Sequence, residues 1–172
     1  MKYRLAPLAA VLFIGCILAA NAVTSDFGMV PVGFGLVATA GTYFAGLTFI
    51  LRDALQDVAG KRWTLVVIAL GAILSFFIAS PFIALASAVA FGLSELADLA
   101  VYTPLRKRGY VRAAITSNIV GSIVDTIAFL TIAGFPLWAA LPGQMVGKLA
   151  VTAIAVLAVV IIRAQRKAQV AA

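Results

Sequence analysis

The chain has 172 residues, 64% of them hydrophobic and 11% charged, with a net charge of +7 and a mean hydropathy of +1.13. Soluble domains carry roughly 25% charged residues, so this composition excludes a water-soluble enzyme, a disordered chain and a nucleic-acid-binding domain. There is no His and one Cys, Cys16, which excludes imidazole proton relays, multi-Cys metal motifs and an intramolecular disulfide; no metal and no cofactor is expected.

A bilayer crossing takes about 20 mostly apolar residues. The first candidate span is 5–22. Lys2, Arg4 and the small residues Ala20-Asn21-Ala22 imitate a secretory signal peptide, but we read the segment as a retained span. The second span is 29–51, ending at Arg52-Asp53. Residues 63–102 are apolar throughout, about twice the length needed to cross the hydrocarbon core as helix. Ser80-Pro81 breaks that run, since proline removes a donor and its predecessor leaves the helical region; two spans, 63–79 and 81–102, follow. The fifth span is 113–135 and the sixth 145–162, with Pro136 and Pro142-Gly143 in the loop between. The fold class predicted is an all-α integral membrane protein: one domain, 1–172, of six transmembrane helices.

Orientation follows from the basic residues, which accumulate on the cytoplasmic side. Lys2 and Arg4, then Arg52, Lys61 and Arg62, then Arg106, Lys107, Arg108 and Arg112, and finally Arg163, Arg166 and Lys167 all fall on one side of a six-span chain. The loops after spans one, three and five have no Lys or Arg. The expectation is a multi-pass protein with both termini inside, whose basic character belongs to the lipid bilayer and not to a nucleic-acid partner.

Ionisable side chains inside spans cost roughly 2.5–3.5 kcal/mol each at a helix centre and mark pathways or sites. Asp125 lies mid-span in the fifth, Glu95 and Asp98 in the fourth, Lys148 in the sixth and Asp53 at the end of the second. Helical spacing gathers them into stripes: Asn118, Ser122, Asp125 and Phe129; Ser87, Phe91, Glu95, Asp98 and Tyr102; Thr39, Thr42, Gly46, Phe49 and Asp53; Gln144, Lys148 and Thr152. Four stripes turned inward make one polar cavity between spans two, four, five and six, leaving spans one and three to face lipid or a partner. Plainer readings stand beside this one. Ser and Thr often bond their own helix, Asp53 and Asp98 suit interfacial pairs with Arg52 and Arg106, and Asp125 with Lys148 suits a structural ion pair. The pairs Gly143-x-x-x-Gly147 and Ala6-x-x-x-Ala10 fit small-residue helix packing.

Three segments carry a family resemblance. Arg52-Asp53-Ala54-Leu55-Gln56-Asp57-Val58-Ala59-Gly60-Lys61, Ser94-Glu95-Leu96-Ala97-Asp98 and Ser117-Asn118-Ile119-Val120-Gly121-Ser122-Ile123-Val124-Asp125-Thr126 occur in that order, with Lys148 following. Together they resemble the VUT family, the queuosine precursor transporters, although Arg52, Gln56 and Asp57 stand where that family has Thr, Asn and Glu. The resemblance implies a bundle like the six-helix S-components of energy-coupling-factor transporters. It implies import of 7-cyano-7-deazaguanine or 7-aminomethyl-7-deazaguanine across the inner membrane of a bacterium, by the chain alone or as a homodimer. Asp125 or Glu95 suits the adjacent N–H donors of the guanine-like edge, and Asn118 or Gln144 the ring carbonyl. Phe91, Phe129 or Tyr43 suits its faces; Lys148 suits a carboxylate partner, and Asp98, Ser122 and Asp53 complete the candidate binding set. The alternative is an S-component serving an ATPase module for a vitamin-like or nucleobase-like molecule. An enzyme is not expected, because no nucleophile–base pair is present.

Overall fold

The computed structural model describes residues 2–108 and 110–171, and the side chains of 5–154 and 157 apart from 99, 106, 109–111 and 113–115. The expected basic side chains Lys2, Arg4, Arg106, Arg163, Arg166 and Lys167 lie outside the described residues. Six helices and one hairpin follow in order: α1 (Lys2–Phe27), β1 (Met29–Gly33), β2 (Leu36–Thr39), α2 (Thr42–Ala59), α3 (Lys61–Ile78), α4 (Pro81–Arg106), α5 (Tyr110–Ile132) and α6 (Leu137–Ala171).

Polarity runs opposite to that of a soluble globule. Leu8, Val11, Leu65, Ile73, Phe77 and Leu96 stand exposed, while Asn21, Thr42, Arg52, Ser75, Gln144 and Lys148 are buried. A bilayer supplies no hydrogen bonds, so polar groups at that depth find partners inside the protein while apolar ones face the lipid. Among the described residues, four helices are long and apolar enough to cross a membrane: Leu5–Phe27, Lys61–Ile78, Pro81–Leu105 and Leu137–Ile154. The fifth helix contributes a shorter apolar run, Thr116–Ile132, and α2 carries Arg52, Asp53 and Asp57 within its 18 residues. Each predicted span thus has a helix, but by length and composition four of the six are spans.

The breaks in the chain sit where the backbone demands them. Pro81 opens α4 at its first position, where a missing N–H removes no helical bond. The sharp break at Ser80 is tied down by the Ser25 hydroxyl, which accepts the Ser80 N–H at 3.0 Å. Several boundaries differ from expectation, beginning with α1, which runs to Phe27 through the loop expected after residue 22. Residues 29–39, assigned to the second span, form an antiparallel hairpin pairing Met29 with Thr39 and Pro31 with Val37. Gly33, Phe34 and Gly35 all take positive φ at its tip, a conformation that no helix accommodates. Helix α2 therefore begins at Thr42 and runs past Arg52-Asp53 to Ala59. Helix α6 begins at Leu137, so Pro142-Gly143, expected in a loop, lies in its second turn. A proline so near the N-terminus removes a single intrahelical bond. Finally, α1 packs against α2, α3 and α4 and does not stand apart facing lipid.

Helices α4 and α5 form the most extensive pair, and Ala84, Ala86 and Ala90 of α4 are fully buried. Helix α6 packs on β2, α2 and α5. Two glycines let the hairpin end close. A Cβ at Gly143 would fall on the carbonyl oxygen of Val37 in β2, and one at Gly41 on the carbonyl oxygen of Ala20 in α1. Gly147, one turn beyond Gly143, abuts the Thr42 methyl, so the Gly143-x-x-x-Gly147 pair meets β2 and α2. Gly143→Ala is therefore expected to destabilise the protein by about 1–3 kcal/mol, the usual range for overpacking. Gly15→Ala, whose Cβ meets nothing within 4 Å, should not; thermal unfolding of the detergent-purified variants checks the contrast.

Candidate ligand cavity

Every helix and the end of the hairpin contribute to one cavity. Its polar wall comes from α5 and α6. These helices run antiparallel through the turn at Gly134 (φ 74°). Asp125 stands 11 residues before Pro136 and Lys148 12 after it, so the turn brings them level. The Lys148 ammonium donates to Asp125 Oδ2 at 2.6 Å and to Thr126 Oγ1 at 2.8 Å. Lys148 is only 3% exposed and Asp125 13%. Thr126 is fully buried, and its hydroxyl donates to Met145 Sδ at 3.8 Å, which leaves its lone pairs free for the ammonium.

One turn before Lys148 on α6, Gln144 donates from Nε2 to Thr39 Oγ1 at 2.8 Å. The Thr42 hydroxyl is spent on the Thr39 carbonyl at 2.7 Å. The 3.2 Å contact between the two hydroxyls therefore runs from Thr39 to Thr42. This chain of bonds ties the hairpin to α6 and α2. Across the cavity Asn21 of α1 donates from Nδ2 to Ser75 Oγ of α3 at 3.0 Å, and Thr24 Oγ1 accepts the Gly41 N–H at 3.0 Å. The apolar wall combines small aliphatic side chains, such as Ala45, Ala72, Ala84 and Ala88, with the rings of Phe49, Phe91 and Phe129. Phe49 and Phe91 stack with centroids 6.2 Å apart and 24° between planes, Phe13 tilts against Phe91 at 6.3 Å, and Phe129 faces in from α5.

Beyond the Phe49–Phe91 stack, one turn on along both α2 and α4, lies a second charged cluster. Arg52 Nη2 reaches Glu95 Oε1 at 2.8 Å, and Arg52 Nε lies 3.3 Å from Asp53 Oδ1. Arg52 is buried, with its side chain 7% exposed, so it belongs not to a loop, where the sequence count placed it, but to the packed bridge between α2 and α4. The cavity thus lies between the hairpin seal at one end and this ion bridge at the other.

Of the predicted site residues, Asp125, Lys148, Gln144, Phe91 and Phe129 line the cavity. The others lie outside its wall. Glu95 and Asp53 belong to the Arg52 cluster, and Asp98 packs beside Gly121 between α4 and α5. Asn118 and Ser122 are half-buried on α5, and Tyr43 is exposed at 45% beside Gly147. Spans one and three do enter the wall, through Ile17, Asn21 and Thr24 and through Ile68 and Ala72, contrary to the expectation that they face lipid. An amide and a hydroxyl facing each other across two apolar helices are cheapest when bonded together, and the sequence does not show which faces meet. Asn21 had a legible signal, a side-chain amide at the end of a long apolar run. Phe49 lay on a predicted stripe, and Thr126 stood beside the acid already singled out.

Helices that are apolar outside and polar within, with a cavity between them, define a multi-pass membrane protein. The family described as "Putative vitamin uptake transporter" matches residues 73–162, just over half the chain, and the chain belongs to that family. The matched region contains Glu95, Asp125, Gln144 and Lys148. No curated protein and no solved structure matches the chain.

Removing one partner from a buried pair strands the other charge and costs on the order of 3–5 kcal/mol, whereas replacing both by apolar groups is near neutral. Arg52→Met is accordingly expected to lower the unfolding temperature in detergent more than the double variant Arg52→Met/Glu95→Met. Equal losses would mean that the bridge is not coupled.

Proposed function

We propose that the chain imports a 7-deazaguanine precursor of queuosine across the bacterial cytoplasmic membrane, holding it in the cavity bounded by Asp125, Lys148 and Gln144. The observation that carries this reading is a carboxylate fixed by its own lysine, beside a side-chain amide, in a cavity with aromatic rings in its wall. A guanine-like edge presents adjacent N–H donors to a carboxylate and a ring carbonyl to an amide. Asp125 and Gln144 answer both; Glu95 and Asn118, the other candidates for those roles, lie outside the wall. Phe49 with Phe91 on one side and Phe129 on another give a flat ring faces to pack on.

Transport requires the site to open alternately to the two sides. With both termini inside, the orientation that the basic clusters favour, the hairpin with its Thr39–Gln144 bond closes the outer side. The Phe49–Phe91 stack, backed by Arg52–Glu95, closes the inner side. A second reading, a substrate-binding S-component working with an ATPase module, takes support from the vitamin-uptake description of the family.

Uptake of radiolabelled 7-cyano-7-deazaguanine, in cells without their own importer or such ATPase modules and expressing only this chain, tests both. Uptake is expected, and its loss with a protonophore would identify proton coupling. Absence of uptake by a well-inserted protein favours the S-component reading or another substrate. Asp125→Asn is expected to bring uptake to background at an unchanged membrane level; wild-type uptake by that variant would remove Asp125 from the site.

A further inference from the structure

We infer that Lys148 selects substrates by charge: by occupying Asp125 it makes the cavity a site for an uncharged flat ring and closes it to a ligand bearing an alkylammonium group. The inference rests on the 7-deazaguanine reading above and names which form of that substrate class enters.

Among the described residues of the wall, Asp125 and Lys148 are the only charged ones, and at 2.6 Å they cancel. The remaining polar groups there, Asn21, Thr24, Thr39, Thr48, Ser87 and Gln144, are neutral. The carboxylates Glu95, Asp53 and Asp98 lie outside the cavity wall beyond the Phe49–Phe91 stack, the first two held by Arg52 and Asp98 packed against Gly121. A ligand ammonium entering the cavity therefore finds no free counter-ion. Its single candidate in the wall is Asp125, which it reaches only by coming close to the ammonium of Lys148, a side chain only 3% exposed, where little solvent screens the repulsion. Displacing Lys148 is no remedy, because that charge would then be stranded without its partner.

A neutral ring meets none of these obstacles. Lys148 uses Asp125 Oδ2, and Oδ1 carries no hydrogen bond among the described residues. A carboxylate has about four acceptor positions, so a ring N–H adds to the pair without breaking it. The two queuosine precursors differ in this respect. The 7-cyano form is neutral, whereas the 7-aminomethyl form carries a primary amine that, like that of lysine with its pKa of about 10, is protonated at neutral pH. The cavity accordingly takes the 7-cyano form.

The test measures initial uptake of both labelled precursors at pH 7 in cells expressing this chain alone. Unlabelled 7-hydroxymethyl-7-deazaguanine, the uncharged near-isostere of the aminomethyl form, serves as competitor. The expected rate ratio of cyano to aminomethyl form is about tenfold or more, the size of a like-charge penalty of over one kilocalorie. The hydroxymethyl compound should compete where the aminomethyl compound does not. Lys148→Gln, which frees Asp125, should bring the ratio toward or below one. Equal wild-type uptake of both precursors, or a Lys148→Gln variant that transports with an unchanged ratio, overturns the charge filter and leaves the 7-deazaguanine reading standing. No wild-type uptake of either precursor overturns that reading and the filter together. The wild-type ratio and the competition decide the matter even where Lys148→Gln fails to insert.

Discussion

Two opposite charges, 2.6 Å apart in the core of a helical bundle that presents an apolar exterior, constrain everything packed around them. Neither can be solvated from the lipid side, so each must be neutralised and hydrogen-bonded from within. The geometry of α5 and α6 meets that requirement. The Gly134 turn brings the acid and the base level, Thr126 adds a second acceptor, and Met145 takes the hydroxyl proton that would otherwise oppose the ammonium. Once the pair is formed, the wall between the two helices has a fixed register, and Gln144, one helical turn away, is aimed at the hairpin.

Around that wall the bundle uses small residues to bring backbones together and aromatic residues to keep space open. Gly41, Gly143 and Gly147 sit where elements meet most closely, whereas Phe49, Phe91 and Phe129 line the cavity. Membership of a vitamin uptake transporter family agrees with this division, because a carrier must keep a cavity open within a scaffold that lipid surrounds.

How much of this the sequence reveals depends on whether one residue type is enough to identify a physical role. Charges inside apolar runs are that kind of signal, since burial makes them expensive wherever the fold places them; Asp125 and Lys148 stood out for that reason. Proline and glycine in residues 29–39 also signalled a break, but the segment is as apolar as a span and continuous with one, so hydropathy merged hairpin and helix. Arg52 illustrates the reverse failure. A basic residue at the end of an apolar run resembles every loop cation, and only the depth of α2 beside α4 shows that Glu95 claims it. Asn21 and Ser75 lie on different helices with no shared period, and their partnership is a product of packing alone.

The two ends of the cavity are built from different materials. At the hairpin end the contact is backbone against glycine, sealed by one amide-to-hydroxyl bond, with Ala38 and Thr39 the buried side chains of β2. Moving that element exposes little apolar surface and separates no charges. At the other end, stacked rings back onto a buried guanidinium–carboxylate bridge, and parting α2 from α4 means unstacking the rings and separating paired charges at once. The protein is therefore mechanically asymmetric, with a compliant mouth and a stiff floor.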